Sequence, residues 1–350
     1  MSSDSSTLTS HGRDTLNNNC SCSCKNSINA EIIKAEALRL GFSACGVARA
    51  DEVARADSTY FRSWLSQGGN AAMTYMADHQ PQRLDPRTMY PGTRSVIAVA
   101  LNYFPESRLP ADTYQFAYYA YGKDYHDVMR SRLRLLAAFV TETAARLRTA
   151  TTIPPRVCTD TAPLLERYWA WKAGLGWIGR NHNLIIPGKG SFVVLGEILT
   201  DLLLEADTPM PSHCGDCHRC TDACPCLAAP VFKAEDCWSY QTIEKKDEAT
   251  LPRHEVVEDT GGDTTATRQE RQGRAPYIYG CDRCQLVCPH NRFATPTDTE
   301  EFRPSPLFLS MTKDDWNTLT PERYRALFKG SAVKRAKFGK LTSTISLLRH

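Results

Sequence analysis

Long apolar runs are absent from this 350-residue chain. A bilayer-spanning helix needs roughly 18–20 consecutive apolar residues, and the nearest approach, residues 192–204, is broken by Glu197 and Asp201. No membrane span is therefore expected. The first residues hold no apolar signal core and no twin arginine, so export is unsupported and a cytoplasmic location is expected. Residues 1–27 also have almost no large apolar side chains and are rich in Ser, Thr and Asn. Such a segment cannot offset its ordering entropy by burial, and it reads as a disordered tail in which Cys20, Cys22 and Cys24 receive no role. Glycine appears in Gly174-Leu-Gly-Trp-Ile-Gly179, but the run is read as departing from G-x-G-x-x-G spacing and follows a helix pattern rather than a strand, so a dinucleotide site is rejected.

Cysteine, by contrast, is plentiful, with 14 residues. Cys214, Cys217, Cys220 and Cys224, with Pro225 behind them, spell C-x-x-C-x-x-C-x-x-x-C-P, the spacing that holds four-iron clusters in bacterial-type ferredoxins. A shorter copy follows as Cys281, Cys284, Cys288 and Pro289. Two [4Fe-4S] clusters are the natural reading, and they need reduced thiolates rather than disulfides. In two-cluster ferredoxins the last cysteine of each motif ligates the other cluster. This groups Cys214, Cys217 and Cys220 with Cys288, and Cys281 and Cys284 with Cys224. The motifs supply one thiolate too few, and Cys237 is the candidate for the vacancy, because Cys226 sits awkwardly close to Cys224. Zinc also uses paired C-x-x-C units, but it explains neither the triplet nor the two prolines.

The chain is far longer than a ferredoxin, so a catalytic core is expected beside the cluster module. The pattern is α+β. Ile28, Ile32, Ile33, Ala37 and Leu40 recur with helical period, and Gly41 can end that helix. Strands are expected over residues 42–48, 95–103, 183–186 and 192–199, with a long helix over about 124–147. The divisions expected are a tail at 1–27, a catalytic domain at 28–205, a cluster module at 206–300 with a polar insertion at 244–274, and a basic segment at 301–350.

Clusters relay electrons singly, so the larger domain must hold the acceptor site. In Val157-Cys-Thr-Asp160-Thr-Ala-Pro163-Leu-Leu-Glu-Arg167, Pro163 reads as the first residue of a helix and Asp160 lies at a strand-to-helix mouth. Asp160 reads first as a cap and second as a catalytic group.

The stretches Asp160-Thr-Ala-Pro-Leu-Leu-Glu-Arg167, Gly174-Leu-Gly-Trp-Ile-Gly-Arg-Asn181, Gly190-Ser-Phe-Val-Val-Leu-Gly-Glu197 and both cysteine motifs closely resemble the epoxyqueuosine reductases of the QueG family. The likeness covers about residues 28–340. It implies a nitroreductase-like cobalamin-binding domain followed by a ferredoxin-like two-[4Fe-4S] module. It also implies reduction of epoxyqueuosine to queuosine at wobble position 34 of tRNA, the last step of queuosine synthesis. The substrate would be tRNA with a QUN anticodon (Asp, Asn, His and Tyr acceptors), read by a monomer fed by an external one-electron reductant. By the same resemblance Asp160 is the proton donor, which requires its pKa to rise. Arg83, Arg167, Asn181 and Ser191 fall in stretches that line the corrin. Asp124-Tyr-His126-Asp-Val-Met129 begins like the D-x-H-x-x-G box of base-off cobalamin proteins but ends in Met129, so His126 is read as a helix-start histidine.

From Arg323 to His350 there are eight Lys or Arg residues and no Asp or Glu, so in a chain of net charge +3 the rest carries −5. Such segregation suits phosphate contacts and equally suits a solvated helix. No helical-repeat extension follows the cluster module, so this segment is expected to bear more of the RNA contact. Two rival readings are a corrinoid reductive dehalogenase and a non-enzymatic electron-transfer or corrinoid-handling protein. A twin-arginine signal would favour the first, and indifference to Asp160→Asn the second.

Overall fold

The structure, a computed structural model, describes residues 29–149, 151–246 and 277–349. The 1–27 tail and nearly all of the 244–274 insertion lie outside the described residues. At the centre is a four-stranded antiparallel sheet of β1 (Ala44–Arg49), β2 (Ser95–Asn102), β3 (Arg156–Cys158) and β4 (Val193–Thr200), in the order β1-β2-β4-β3. Every residue of β2 from Ser95 to Leu101 is buried, which is why its sequence is continuously apolar rather than alternating.

The two faces of β2 serve two cores. Ile97, Val99 and Leu101 point to one core, which takes in Ile33 and Ala37 of α1 (Ala30–Arg39) and Met129, Leu133 and Leu136 of α2 (Tyr125–Arg146). Val96, Ala98 and Ala100 point to the other, with Tyr168, Trp169 and Ala170 of α3 (Glu166–Lys172). Burying each large side chain contributes about 1.5–3 kcal/mol.

Two glycines set how closely the helices approach. A Cβ on Gly46 would lie 2.0 Å from the Ala173 carbonyl oxygen, just past α3, and one on Gly196 would lie 2.9 Å from Leu133 Cδ1 of α2. Both helices therefore rest almost directly on backbone. Their N-terminal ends carry the candidate site.

The C-terminal chain joins the first core rather than standing apart. Trp316, Phe328, Val333, Leu341 and Ile345 pack in one cluster with Phe116 and Tyr279, and the helix Lys337–Arg349 buries Leu341, Thr344 and Ile345. Among the described residues no helix is long and apolar enough to cross a membrane.

Two local expectations change. The helix after Asp160 starts at Glu166, not Pro163; Leu164 is buried first, anchoring the 160–165 loop in the second core. Gly174, Gly176 and Gly179 do have G-x-G-x-x-G spacing, yet they flank a hairpin of Trp177–Ile178 with Leu184–Ile185. A Cβ at Gly176 would meet the Ile185 carbonyl oxygen at 2.1 Å. The glycine there permits close strand approach and cradles no phosphate, so rejecting a dinucleotide site stands on geometry rather than on spacing.

Candidate active site and cluster cradle

Asp124 caps α2: its Oδ1 accepts from the His126 backbone N–H at 3.1 Å and lies 2.6 Å from His126 Nδ1. His126 is thus a helix-start histidine, and its other nitrogen does something more. Nε2 lies 2.8 Å from Asp160 Oδ2, across 34 residues of chain.

Asp160 itself is not a cap, contrary to the first reading of the sequence. The N-cap of α3 is Leu165, which receives no side-chain cap bond. Asp160 adopts φ of 42°, a left-handed conformation that Asp tolerates better than most residues. Its N–H donates to the Glu166 carboxylate. The loop is therefore fastened from the first residue of α3, with the Asp160 side chain turned toward α2 and 38% exposed.

A third element reaches the same point. Arg335 Nη1 lies 4.0 Å from Asp160 Oδ2, and its Nη2 pairs with Glu244 Oε1 at 2.7 Å. Glu244, the start of the expected insertion, is the C-cap of the helix Trp238–Ile243. Arg335, counted in the sequence as part of the basic segment, faces the candidate catalytic aspartate.

These contacts place the protons. Burial opposes charge on His126, but hydrogen bonds to Asp124 and Asp160 outweigh it and push the imidazole up to about 9. Burial pushes the Asp160 carboxyl up, yet the hydrogen bond and charge of His126 and the charge of Arg335 hold it below the ordinary carboxylate range. The expected rise in the Asp160 pKa is thus absent from this ligand-free arrangement. At neutral pH the proton sits on His126, one hydrogen bond from Asp160.

Behind the loop lies a second acidic pair. Burial, with the nearby Asp160 charge, pushes Glu166 up to about 7. Glu197, fully buried in β4, is driven well above the ordinary range by burial and by Glu166. Both its oxygens lack a hydrogen-bond partner among the described residues, so its surroundings favour the protonated form.

The four residues expected to line a corrin separate into different settings. Arg83 is buried; its Nη2 donates to the Tyr75 carbonyl at 3.1 Å, while its Nε finds no acceptor among the described residues. Asp160 and Glu166 are among the charges acting on it. Arg167 donates to the His182 carbonyl, and Asn181 Nδ2 donates to the Cys284 carbonyl at 3.4 Å. The Ser191 hydroxyl donates to Gln285 Oε1 at 2.9 Å, and Asn291 Nδ2 donates to it at 3.0 Å. Ser191 therefore ties the end of the sheet to the second cysteine motif. Arg83, with a buried donor left open, fits a group rich in amide and phosphate acceptors.

The cysteines gather in two sets. Cys214, Cys217 and Cys220 lie near Cys288, whereas Cys281 and Cys284 lie near Cys224 and Cys237. Cys226 is buried, with its sulfur 3.1 Å from Cys224 Sγ and in contact with Cys237. Asn183 Nδ2 lies 4.0 Å from Cys284 Sγ. The second set thus faces the loop that runs back through His182 and Arg167 toward Asp160, and thiolates in two groups suit two four-iron clusters. Sequence reasoning missed His126, Arg335 and Glu166 as neighbours of Asp160. The partial D-x-H box was the one available signal.

Comparison with known proteins agrees with this arrangement. Residues 83–161 match the family described as epoxyqueuosine reductase QueG, DUF1730, and residues 213–291 match a 4Fe-4S double cluster binding domain. The epoxyqueuosine reductase of Cellulophaga algicola is 39% identical over 324 residues, covering 91% of this chain and 98% of that protein. That of Leadbetterella byssophila is 39% identical over 320 residues, covering 91% and 97%. A crystal structure of epoxyqueuosine reductase with an epoxyqueuosine-modified tRNA-Tyr stem loop superposes with a TM-score of 0.74 at 24% identity, covering 91% of this chain and 80% of that one, a likeness of fold. The two full-length relatives, the matched domains and the paired cysteine sets together show that the chain belongs to the epoxyqueuosine reductase family.

Proposed function

We propose that this protein reduces epoxyqueuosine to queuosine at position 34 of tRNA, with Asp160 delivering a proton that His126 holds. The observation that carries the reading is the Asp124–His126–Asp160 chain, in which a charged imidazole bridges two carboxylates. Reduction of an epoxide with loss of its oxygen as water takes two electrons and two protons. Bound cobalamin would supply the reducing metal centre, and clusters held by the two cysteine sets would supply single electrons.

The chain's own residues supply the rest. The His126 proton passes to the ionised Asp160, which hands it to the departing oxygen, the second proton comes from solvent, and Arg335 balances the carboxylate charge that remains. Glu166 holds the Asp160 backbone in its left-handed turn, so the carboxyl stays aimed at α2. Arg83, Arg167 and Asn181 would hold the cofactor's amide and phosphate groups; the Ser191 hydroxyl, already satisfied by Gln285 and Asn291, contributes by fixing the cluster segment. The sheet with its helices serves as a nitroreductase-like domain, and the cysteine motifs as a ferredoxin-like module. Cys214, Cys217, Cys220 and Cys288 ligate one cluster, and Cys224, Cys237, Cys281 and Cys284 the other. The substrate is tRNA with a QUN anticodon, whose modified base must leave the stack to reach the site. The protein works as a cytoplasmic monomer with an external one-electron reductant.

Nucleosides from tRNA of cells lacking the gene, resolved by mass spectrometry, test this reading. Epoxyqueuosine should accumulate and convert to queuosine when the gene is returned. Unchanged queuosine in a strain without a second reductase would remove the substrate assignment.

A further inference from the structure

A cleft of about 340 Å³ opens beside Cys288, and no cysteine of the second set lines it. Three arginines, Arg108, Arg219 and Arg292, line it together with Phe104 and Leu286, and none of its ten lining residues is acidic. All three arginines are exposed. Two of them rest on rings: the Arg108 guanidinium lies 4.8 Å from the Phe104 centroid, and that of Arg292 lies 4.6 Å from Phe293. Cations held this way lose little freedom on meeting a partner. Among them Leu286 and Phe293 are exposed at 44% and 46%. Apolar side chains framed by positive charge make a surface for a partner of opposite sign.

We infer that this cleft is the docking site of an acidic one-electron carrier protein that reduces the cluster held by Cys214, Cys217, Cys220 and Cys288. The inference rests on the ligand assignment proposed above. Cys288 lines the cleft, whereas Cys284 of the other set meets Asn181 and Asn183, on the side that leads to Asp160. Electrons therefore enter at the arginine-lined side and leave at the site side. Each encounter oxidises the carrier by one electron and reduces the cluster by one, so two encounters supply one turnover. Small patches of this kind suit a carrier that must dissociate after each transfer, and charge steers its arrival.

The test uses the full-length protein with both clusters reconstituted and flavodoxin hydroquinone as the acidic carrier, following cluster bleaching by stopped flow. The Arg108→Glu/Arg219→Glu/Arg292→Glu protein should be reduced at least tenfold more slowly than the parent at low salt and should lose most of the salt dependence. Reduction by dithionite, which needs no docking, should be unchanged. Should the triple variant lose iron, Arg108→Glu, outside both cysteine motifs, carries the test with a severalfold slowing. Equal flavodoxin rates in parent and variant would overturn the docking site. So would a variant that keeps its flavodoxin rate and instead binds tRNA more weakly, which would make the cleft an RNA surface. A reconstituted parent without a four-iron chromophore would refute the ligand assignment itself.

Discussion

His126 lies between two carboxylates, with Nδ1 2.6 Å from Asp124 Oδ1 and Nε2 2.8 Å from Asp160 Oδ2. An imidazolium satisfies both contacts at once, since both ring nitrogens then donate. This bridge ties the start of α2 to the loop before α3.

Its first consequence is a pH dependence. The folded pKa of His126 is raised to about 9 from 6.5, so its contribution to stability is fully present below about 6.5 and is lost as pH rises through 9. Glu166, raised from 4.5 to about 7, acts in the same direction at lower pH. Denaturant titrations should show stability falling by about 2 kcal/mol between pH 6.5 and 9, with most of that fall missing in His126→Gln. A parent more stable at pH 9 than at 6.5 would contradict the bridge.

Glu197 is buried without a hydrogen-bond partner among the described residues, and burial drives its carboxyl well above the ordinary range. The isosteric amide cannot ionise in the unfolded chain. Glu197→Gln should therefore escape the stability that the parent loses as pH rises above the ordinary carboxylate range, and be the more stable protein at pH 7 and, by at least as much, at pH 9. Thermal melts at the two pH values decide it, and a large loss at pH 7 would show that the carboxylate is charged and paired.

The cysteine assignment makes a countable prediction. Cys237→Ala should reduce reconstituted iron from about eight atoms per chain toward four, because it removes a ligand of one cluster. Cys226→Ala should keep about eight, since Cys226 touches Cys224 and Cys237 without being counted as a ligand. The opposite pair of iron contents would exchange the two roles.

The basic C-terminus divides in the structure. Arg323 pairs with Asp315, Arg325 with Glu322 and Arg335 with Glu244, whereas Lys329, Lys334 and Lys337 make no ion pair among the described residues. Lys334→Gln/Lys337→Gln should weaken tRNA binding severalfold and lower the slope of log affinity against log salt by about 2. Binding isotherms at several salt concentrations read both, and an unchanged slope would remove these lysines from the interface.

Where the sequence was legible, the chemistry was local. Cluster ligands must recur at fixed spacing, so the motifs from Cys214 and Cys281 announced themselves. The buried run of β2 was legible as a continuous apolar stretch, whereas the stripe that the period suggests for α2 (Val128, Leu135, Leu136, Phe139, Val140) holds only in part: Leu135 is exposed, and Met129 and Leu133 are buried beside Val128, Leu136 and Val140. What could not be read was contact through space. Asp160 meets His126 where Gly196 and Gly46 let α2 and α3 rest on the sheet, and meets Arg335 from the C-terminal segment; nothing near Asp160 in the sequence records a cation 34 or 175 residues away. The expectation that its pKa rises failed for the same reason. Pro163 carried a true preference for a helix start, overridden where Leu164 must be buried first.

The account rests most heavily on Asp160 as the proton donor. The direct measurement is single-turnover conversion of an epoxyqueuosine-bearing anticodon stem loop by Asp160→Asn protein, loaded with both clusters and cobalamin and quantified by mass spectrometry beside the parent. The amide keeps the side chain's shape but holds no transferable proton, so the rate should fall by about 10²–10⁴ while clusters, cobalamin and RNA binding persist. Conversion at the parent's rate by the fully loaded variant would contradict the central claim.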